Sequence, residues 1–245
     1  MKFRLLFLSV ALGVAGACSH GRTLSSTVSD DQLARVPPDR LAEVNSSRAE
    51  LAKASDELAR QNLAIDKARN EIDTPSKEVD VAKNKVSEAE AALKAARDAR
   101  ASDRERNANS ALTAARRDQR VAEEHLRAAQ AQENYATAER DLAQRNVDLL
   151  SARLDWRKYQ AIQATGDPVA KDIDGDAIQK KVDSARTAVD DQRTRVLAAK
   201  NDAEAARLTW QAAQSSGTTG TGLGGGGTSN NPNDKSGVTS GNTTK

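Results

Sequence analysis

The chain has 245 residues with 37 basic and 35 acidic side chains, and aromatic residues make up only 2% of it. Residues 1–17 carry two basic side chains and no acidic one, so the remainder holds 35 of each sign and has no net charge. Interspersed charge argues against a nucleic-acid binder, and the scarcity of large apolar side chains argues against a compact globular core. A single cysteine excludes a disulfide framework. The Ala-rich, charge-rich composition is typical of long helices or coiled coils.

The start of the chain has the layout of a secretory signal that ends on a cysteine. A short basic start is followed by an almost wholly apolar run over 5–14 and by three small residues before Cys18. The apolar run is too short to cross a bilayer as a stable helix. The pattern resembles the signal peptides of bacterial lipoproteins, although Ala15 stands where that family most often has Leu. The resemblance implies that residues 1–17 are removed and that Cys18 carries diacylglycerol and a further acyl chain such as palmitate.

The residue after Cys18 indicates to which membrane of the cell envelope the protein is sorted. In enterobacterial lipoproteins, Asp directly after the cysteine favours inner-membrane retention, whereas Ser, here Ser19, goes with export to the outer membrane. By that resemblance we expect the periplasmic face of the outer membrane. Residues 18–38 are polar and lack a period, so we predict a lipid-anchored flexible tether. The alternatives are an ordinary signal peptide with an incidental cysteine and a cytosolic protein with an apolar N-terminus.

A helical coiled-coil rod is predicted over 39–214, and its first helix covers about 39–72. Apolar residues recur there at every seventh position: Val44, Leu51, Leu58, Ile65 and Ile72. Thr74-Pro75 predicts a boundary, because the residue before proline is disfavoured in the α region while proline is accepted at the first helical position. We therefore expect 39–72 to fold back, antiparallel, on 76–108.

The second helix is predicted over 75–163, since no glycine or proline interrupts it. Its apolar period lapses across 97–110, where Ser102 and Glu105 fit a capping box. A break at this place is left open, and a compact four-helix bundle bent near residue 105 is the competing arrangement.

The third helix is predicted over 174–214 and has the most regular apolar seam in the chain. Its members alternate in steps of three and four: Ile178, Val182, Ala185, Val189, Gln192, Val196, Ala199, Ala203, Ala206, Trp210 and Ala213. This helix should fold back on the second half of the long one, so that antiparallel hairpins share one extended central helix. Residues 215–245 are rich in Gly, Ser, Thr and Asn, which predicts a disordered tail.

A second apolar stripe on the long helix predicts a binding surface. It comprises Tyr135, Ala138, Leu142, Leu149, Ala152 and Trp156. It lies roughly 130° from the stripe of the same helix that is assigned to the third helix, which comprises Ala122, Leu126, Ala129, Glu133, Ala136, Arg140, Ala143, Val147, Leu150 and Leu154. We predict that Tyr135, Leu142, Leu149 and Trp156 bind a protein partner or a second copy, since aromatic anchors dominate such interfaces. A bent-back first helix could also serve as this second partner, and the alternative is one tilted neighbour that covers both stripes.

The sequence contains no phosphate loop, metal-ligand cluster or nucleophile motif. The aspartates at 172, 174 and 176 faintly resemble a calcium loop, but Ala177 replaces the glycine which that loop requires. Asp174 is interpreted as the N-cap of the third helix. His125 is interpreted as a solvated surface residue. We therefore expect neither an enzyme nor a cofactor or metal site.

Cys18, the predicted coiled coil and Lys245 together resemble Braun-type lipoproteins, in which a terminal lysine is joined to peptidoglycan. The basic, aromatic C-terminal run of that family is absent here. We predict a non-enzymatic envelope lipoprotein that serves as an anchored helical spacer, scaffold or partner-recruiting protein. The alternatives are an accessory helical-hairpin subunit of an efflux or secretion system, a periplasmic holdase-type chaperone, and a covalent link from Lys245 to peptidoglycan.

Overall fold

A computed structural model describes residues 25–218, and helices account for 92% of them. The long helices are α1 (Ala42–Asp98), α2 (Ser102–Ala164) and α3 (Gly175–Thr218), and the short 3-10 helices are Asp30–Arg35, Pro38–Leu41 and Pro168–Asp172. The all-α fold class predicted from the sequence is confirmed. The predictions for the leader, for Cys18 and for Lys245 lie outside the described residues, as does the predicted tail beyond 218.

Contacts divide the described residues into two units. Unit 1 comprises 25–70 with 132–201, and unit 2 comprises 71–131 with 202–218. Each unit contains a part of all three long helices. No helix within 25–218 has both the length and the apolar character needed to pass through a bilayer.

The helices are antiparallel within each unit. In unit 1, Glu43 pairs with Arg157 and Arg69 with Glu133, so that α1 and α2 run in opposite directions. In unit 2 the corresponding pairs are Glu78 with His125 and Glu90 with Arg116. Since α2 also contacts α3 in both units, the predicted antiparallel hairpins that share one helix are confirmed.

The predicted boundary at Pro75 is wrong, because α1 continues through this residue. Proline inside a helix costs about 3 kcal/mol, since it removes a hydrogen bond and crowds the preceding turn. The apolar seam nevertheless passes through Pro75, whose side chain is fully buried, in steps of three and four: Ile65, Ala68, Ile72, Pro75, Val79 and Ala82. Packing along this seam outweighs the local cost. The predicted pairing of 39–72 with 76–108 is therefore wrong, since both segments belong to α1.

The helical hairpin turns at 99–101, within the stretch where the apolar period lapses. Arg100 has a left-handed backbone with φ 50°. Its N–H donates to the Arg97 carbonyl, and the Ala101 N–H donates to the Ala96 carbonyl, which is the Schellman pattern of helix termination. The Arg97 guanidinium also donates to the Glu105 carboxylate across the turn at 2.9 Å. The break that the sequence left open is thus present, and one helix over 75–163 is wrong.

The third helix agrees closely with its prediction. The Asp174 carboxylate accepts a hydrogen bond from the Ala177 N–H at 2.9 Å, which confirms the predicted N-cap. Every residue of the predicted seam is buried or half-buried. The helix extends to Thr218, so residues 215–218 belong to α3 rather than to the predicted tail.

Residues 25–36, here called the strap, are folded onto unit 1. This corrects the predicted flexible tether over 18–38 for the residues from 25 onward, and residues 18–24 lie outside the described residues. Val28, Leu33 and Val36 are buried in one cluster with side chains of all three long helices. A 3-10 helix Asp30–Arg35 carries part of the strap. Short 3-10 turns show neither the helical nor the strand period of apolar residues over any length. The sequence pattern therefore gave no sign of this packing.

We expect Arg100→Gly to raise the midpoint of thermal unfolding. A non-glycine residue in the left-handed region costs about 1–2 kcal/mol, part of which is offset by the greater freedom of glycine in the unfolded chain. Gly166→Ala is the opposite change, because Gly166 has φ 67° and nothing lies within 4 Å of the added Cβ. It should lower the midpoint. Circular dichroism measures both, and two unchanged midpoints would contradict the assignment of strain.

Candidate functional site

A charged cluster fastens the strap to α1 and α2 in unit 1. The Lys158 ammonium, on a residue only 9% exposed, lies 2.7 Å from the Asp30 carboxylate and donates to the Val28 carbonyl at 3.3 Å. Arg48 of α1 pairs with the same Asp30 carboxylate at 2.9 Å. Because a buried ammonium without a partner is strongly unfavourable, Asp30 compensates the charge that Lys158 carries into the interior.

Polar contacts also join the strap to the start of α3. The Ser25 N–H donates to the Asp172 carbonyl at 3.0 Å, and the Asp174 N–H donates to the Ser25 carbonyl at 2.9 Å. The Lys181 ammonium donates to the carbonyl and the hydroxyl of Ser26. All three long helices therefore hold the strap, through backbone pairing as well as through ion pairs.

Two carboxyl groups at the cluster have shifted pKa values, in opposite directions. The hydrogen bond from Lys158, and then that from Arg48, holds the pKa of Asp30 below its usual value. Burial raises the pKa of Asp155, although the positive charges of Lys158 and Lys181 oppose the rise. Asp30 thus stabilises the strap in its charged form.

A groove of about 730 Å³ lies in unit 2 between α1, α2 and the last turns of α3. Its floor is apolar and consists of Val81, Ala82, Val121 and Ala122, and Trp210 of α3 lines it as well. Val81 is 54% exposed, whereas Ala82 and Ala122 are buried, so the floor is open to solvent at Val81.

His125 connects the three helices beside this groove. Its imidazole stacks on the Trp210 indole with ring centroids 4.1 Å apart and an angle of 4° between the planes. The Nδ1 atom lies 2.8 Å from the Glu78 carboxylate of α1. His125 is less solvated than the sequence interpretation had it, since its side chain is 27% exposed and its ring is stacked on Trp210. Trp210 was identified only as a seam residue, and no sequence pattern linked it to His125.

The predicted binding stripe is covered within the chain. Leu149 is 7% exposed, and Trp156 packs against the core cluster that holds the strap. The Ala138 carbonyl accepts from Gln192 of α3 at 3.1 Å. The stripe that was assigned to the third helix contacts α1 instead, through Ala136. Both stripes are covered because α1, which turns only at 99–101, lies beside the second half of α2.

The two remaining members of the predicted stripe are half-buried. Leu142 has intermediate exposure. The Tyr135 hydroxyl donates to the Glu139 carboxylate at 2.5 Å, and this bond raises the pKa of Tyr135 to about 12. Tyr135, Leu142, Leu149 and Trp156 therefore do not form a freely exposed patch, and partner binding stays a prediction.

Comparison with family models, curated proteins and solved structures gives no match to this chain. Within residues 25–218, no three His, Cys, Asp or Glu side chains are grouped as metal ligands would be. The strap and the groove of unit 2 are two candidate sites that the described side chains define.

Asp30→Asn is expected to lower the free energy of unfolding by about 1 kcal/mol at neutral pH. A carboxyl whose folded pKa is depressed stabilises the fold above its unfolded pKa of 3.8, and this contribution is lost as pH falls through the lower folded pKa. The difference between parent and variant should therefore close only below pH 3.8. Denaturant titrations at several pH values measure it. Asp31→Asn is the control and should change little, and a difference that persists in acid would contradict the role of Asp30.

His125→Ala is expected to expose Trp210 and to destabilise unit 2 by about 0.5–1.5 kcal/mol, since it removes an aromatic stack. The chain has two tryptophans, so a Trp156→Phe background isolates the Trp210 signal. Acrylamide quenching of its fluorescence should become stronger. Arg120→Ala, at an exposed position of α2, is the control. Equal quenching in all three proteins would show that the imidazole does not cover the indole.

Proposed function

We propose that this protein is a non-enzymatic lipoprotein of the bacterial cell envelope, held by lipid on Cys18, whose helices act as an anchored scaffold that recruits other envelope components. The basic start, the apolar run over 5–14 and the small residues before Cys18 support the anchor. Two acyl chains hold a protein firmly to a membrane, whereas one chain binds marginally. Ser19 favours the periplasmic face of the outer membrane.

The leader that ends at Cys18 is the observation that carries this proposal, and the strap determines how closely such an anchor would hold the helices. Ser25 already pairs with the start of α3, seven positions after Cys18. Seven residues reach at most about 25 Å, even when fully extended. An acylated Cys18 would therefore keep unit 1 within about 25 Å of the bilayer. A fully flexible tether would allow a much larger distance.

The character of the groove favours a scaffold over a catalyst. Catalysis of acyl or phosphoryl transfer needs preorganised polar groups in a site that excludes water. The floor of the groove in unit 2 is apolar and open. Such a surface suits the docking of another molecule.

Replacement of Cys18 by Ser tests the anchor directly. In cells fed an alkyne analogue of palmitate, the parent should be labelled and should fractionate with membranes. Cys18→Ser should lose the label completely and leave the outer-membrane fraction, because its thiol acceptor is gone. Immunoblots of the fractions and the intact mass of the parent measure both effects.

Ser19→Asp is the matched control for this experiment. It leaves the acylated cysteine in place, so the label should persist while the protein shifts toward the inner-membrane fraction. A parent protein that keeps residues 1–17 and has an unmodified thiol by mass spectrometry would refute the proposal.

A further inference from the structure

We propose that the groove of unit 2 docks an acidic, amphipathic α-helix of a partner protein. This inference deepens the scaffold role and rests on it for the cellular setting, but the docking chemistry is independent of the anchor. It follows from an unfilled apolar floor, from the balance of charges around that floor and from the spacing of two lysines.

The floor is unfilled because α3 has no large apolar side chain after Trp210. The residues that follow up to Thr218 are only Gln, Ala, Ser, Gly and Thr. Val81 on the floor stays 54% exposed, although valine favours burial. An apolar side chain of a ligand could contact both Val81 and the partly buried Trp210 there. Aromatic residues often contribute most of the binding energy at interfaces.

Both carboxylates that line the groove have a partner within the chain, whereas two of its lysines form no ion pair with the described residues. Glu78 is bound to His125 at 2.8 Å, and the Asp118 carboxylate lies 3.8 Å from the Arg117 guanidinium. Lys77 and Lys85 line the groove, and no carboxylate of the described chain pairs with either. The groove is lined by three cations, Lys77, Lys85 and Arg117, and by two carboxylates, so its net charge is positive and a negatively charged ligand complements it.

The spacing of these lysines indicates the shape of the ligand. Lys77 and Lys85 are eight residues apart on α1, which corresponds to about 12 Å along the helix. Carboxylates seven or eight positions apart on a second α-helix would match this distance. Apolar side chains at the intervening positions of that helix would face Val81 and Trp210.

Two other occupants fit less well. A single fatty acid offers one carboxylate for two separated lysines, and its chain would remain wet on a floor where Val81 is half-exposed. A second copy of this chain would present interspersed charges of both signs, since residues 18–245 carry equal numbers of each. An acidic helix satisfies both the charge and the spacing.

The test uses the full chain carrying Cys18→Ser and Trp156→Phe, so that neither the lipid nor the other tryptophan contributes. The probe is a synthetic helical peptide of about 20 residues, or about 30 Å, with Leu on one face and Glu at flanking positions seven apart. Trp210 fluorescence should titrate with a dissociation constant in the micromolar range. The double variant Lys77→Glu with Lys85→Glu, and separately Val81→Asp, should each weaken binding at least about tenfold.

Matched controls lie on the same helix. Leu63→Asp changes an apolar residue of α1 that is 70% exposed and belongs to unit 1, and Lys94→Glu reverses an exposed charge of α1 that does not line the groove. Neither should alter the affinity. Circular dichroism verifies that all variants keep their helix content.

Four results would overturn the inference: no binding at millimolar peptide, equal binding of a peptide with Lys in place of Glu, displacement by oleate alone, or a dimer in light scattering that Val81→Asp dissociates. The last two would assign the groove to a fatty acid or to a second copy. None of these results depends on acylation, so failure of docking and failure of the anchor are distinguished.

Discussion

The seam that α1 presents to α2 is the constraint on which the structure depends. It repeats in steps of three and four from Val44 to Ala96 and includes several alanines among its buried members. Apolar burial contributes about 25 cal/mol per Å², so an alanine, which has a small side chain, contributes little. A stable interface between α1 and α2 therefore needs many turns of helix. This requirement explains why the helices are long and why α1 tolerates Pro75 rather than ending there.

Periodicity in the sequence sufficed for the fold class and for α3, because side chains three and four apart on a helix face one partner. The N-cap at Asp174 followed from its short acidic side chain. The predicted boundary at Pro75 was wrong because the poor fit of proline inside a helix was given more weight than the apolar seam, which continues through Pro75. The seven-residue spacing of Ile65, Ile72 and Val79 was the signal to follow. The turn at Arg100 was not fixed by sequence, since arginine there adopts a conformation that usually selects glycine.

The sites were harder to predict than the helices. The strap has irregular apolar spacing, and the stack of His125 on Trp210 joins residues far apart in the chain. Both features depend on which helix segments lie side by side. The position of the hairpin turn at 99–101 determines this pairing. Once α1 is known to reach the second half of α2, the covering of Leu149 follows, and the open floor around Val81 becomes the distinctive surface of unit 2.

The strap has a mechanical consequence. If residues 25–41 peeled from unit 1, the chain between Cys18 and Ala42 would lengthen to about 24 residues, and its greatest reach would grow from about 25 Å to about 80 Å. With Cys18 acylated as proposed, load on the lipid would be borne first by the backbone hydrogen bonds of Ser25 to Asp172 and Asp174. The contacts of Lys158 with Asp30 and the buried Val28 would have to separate next, before the rest of the strap lengthened. The folded strap therefore holds chain length in reserve, and its combined apolar, backbone and charged contacts set the load at which that length is released.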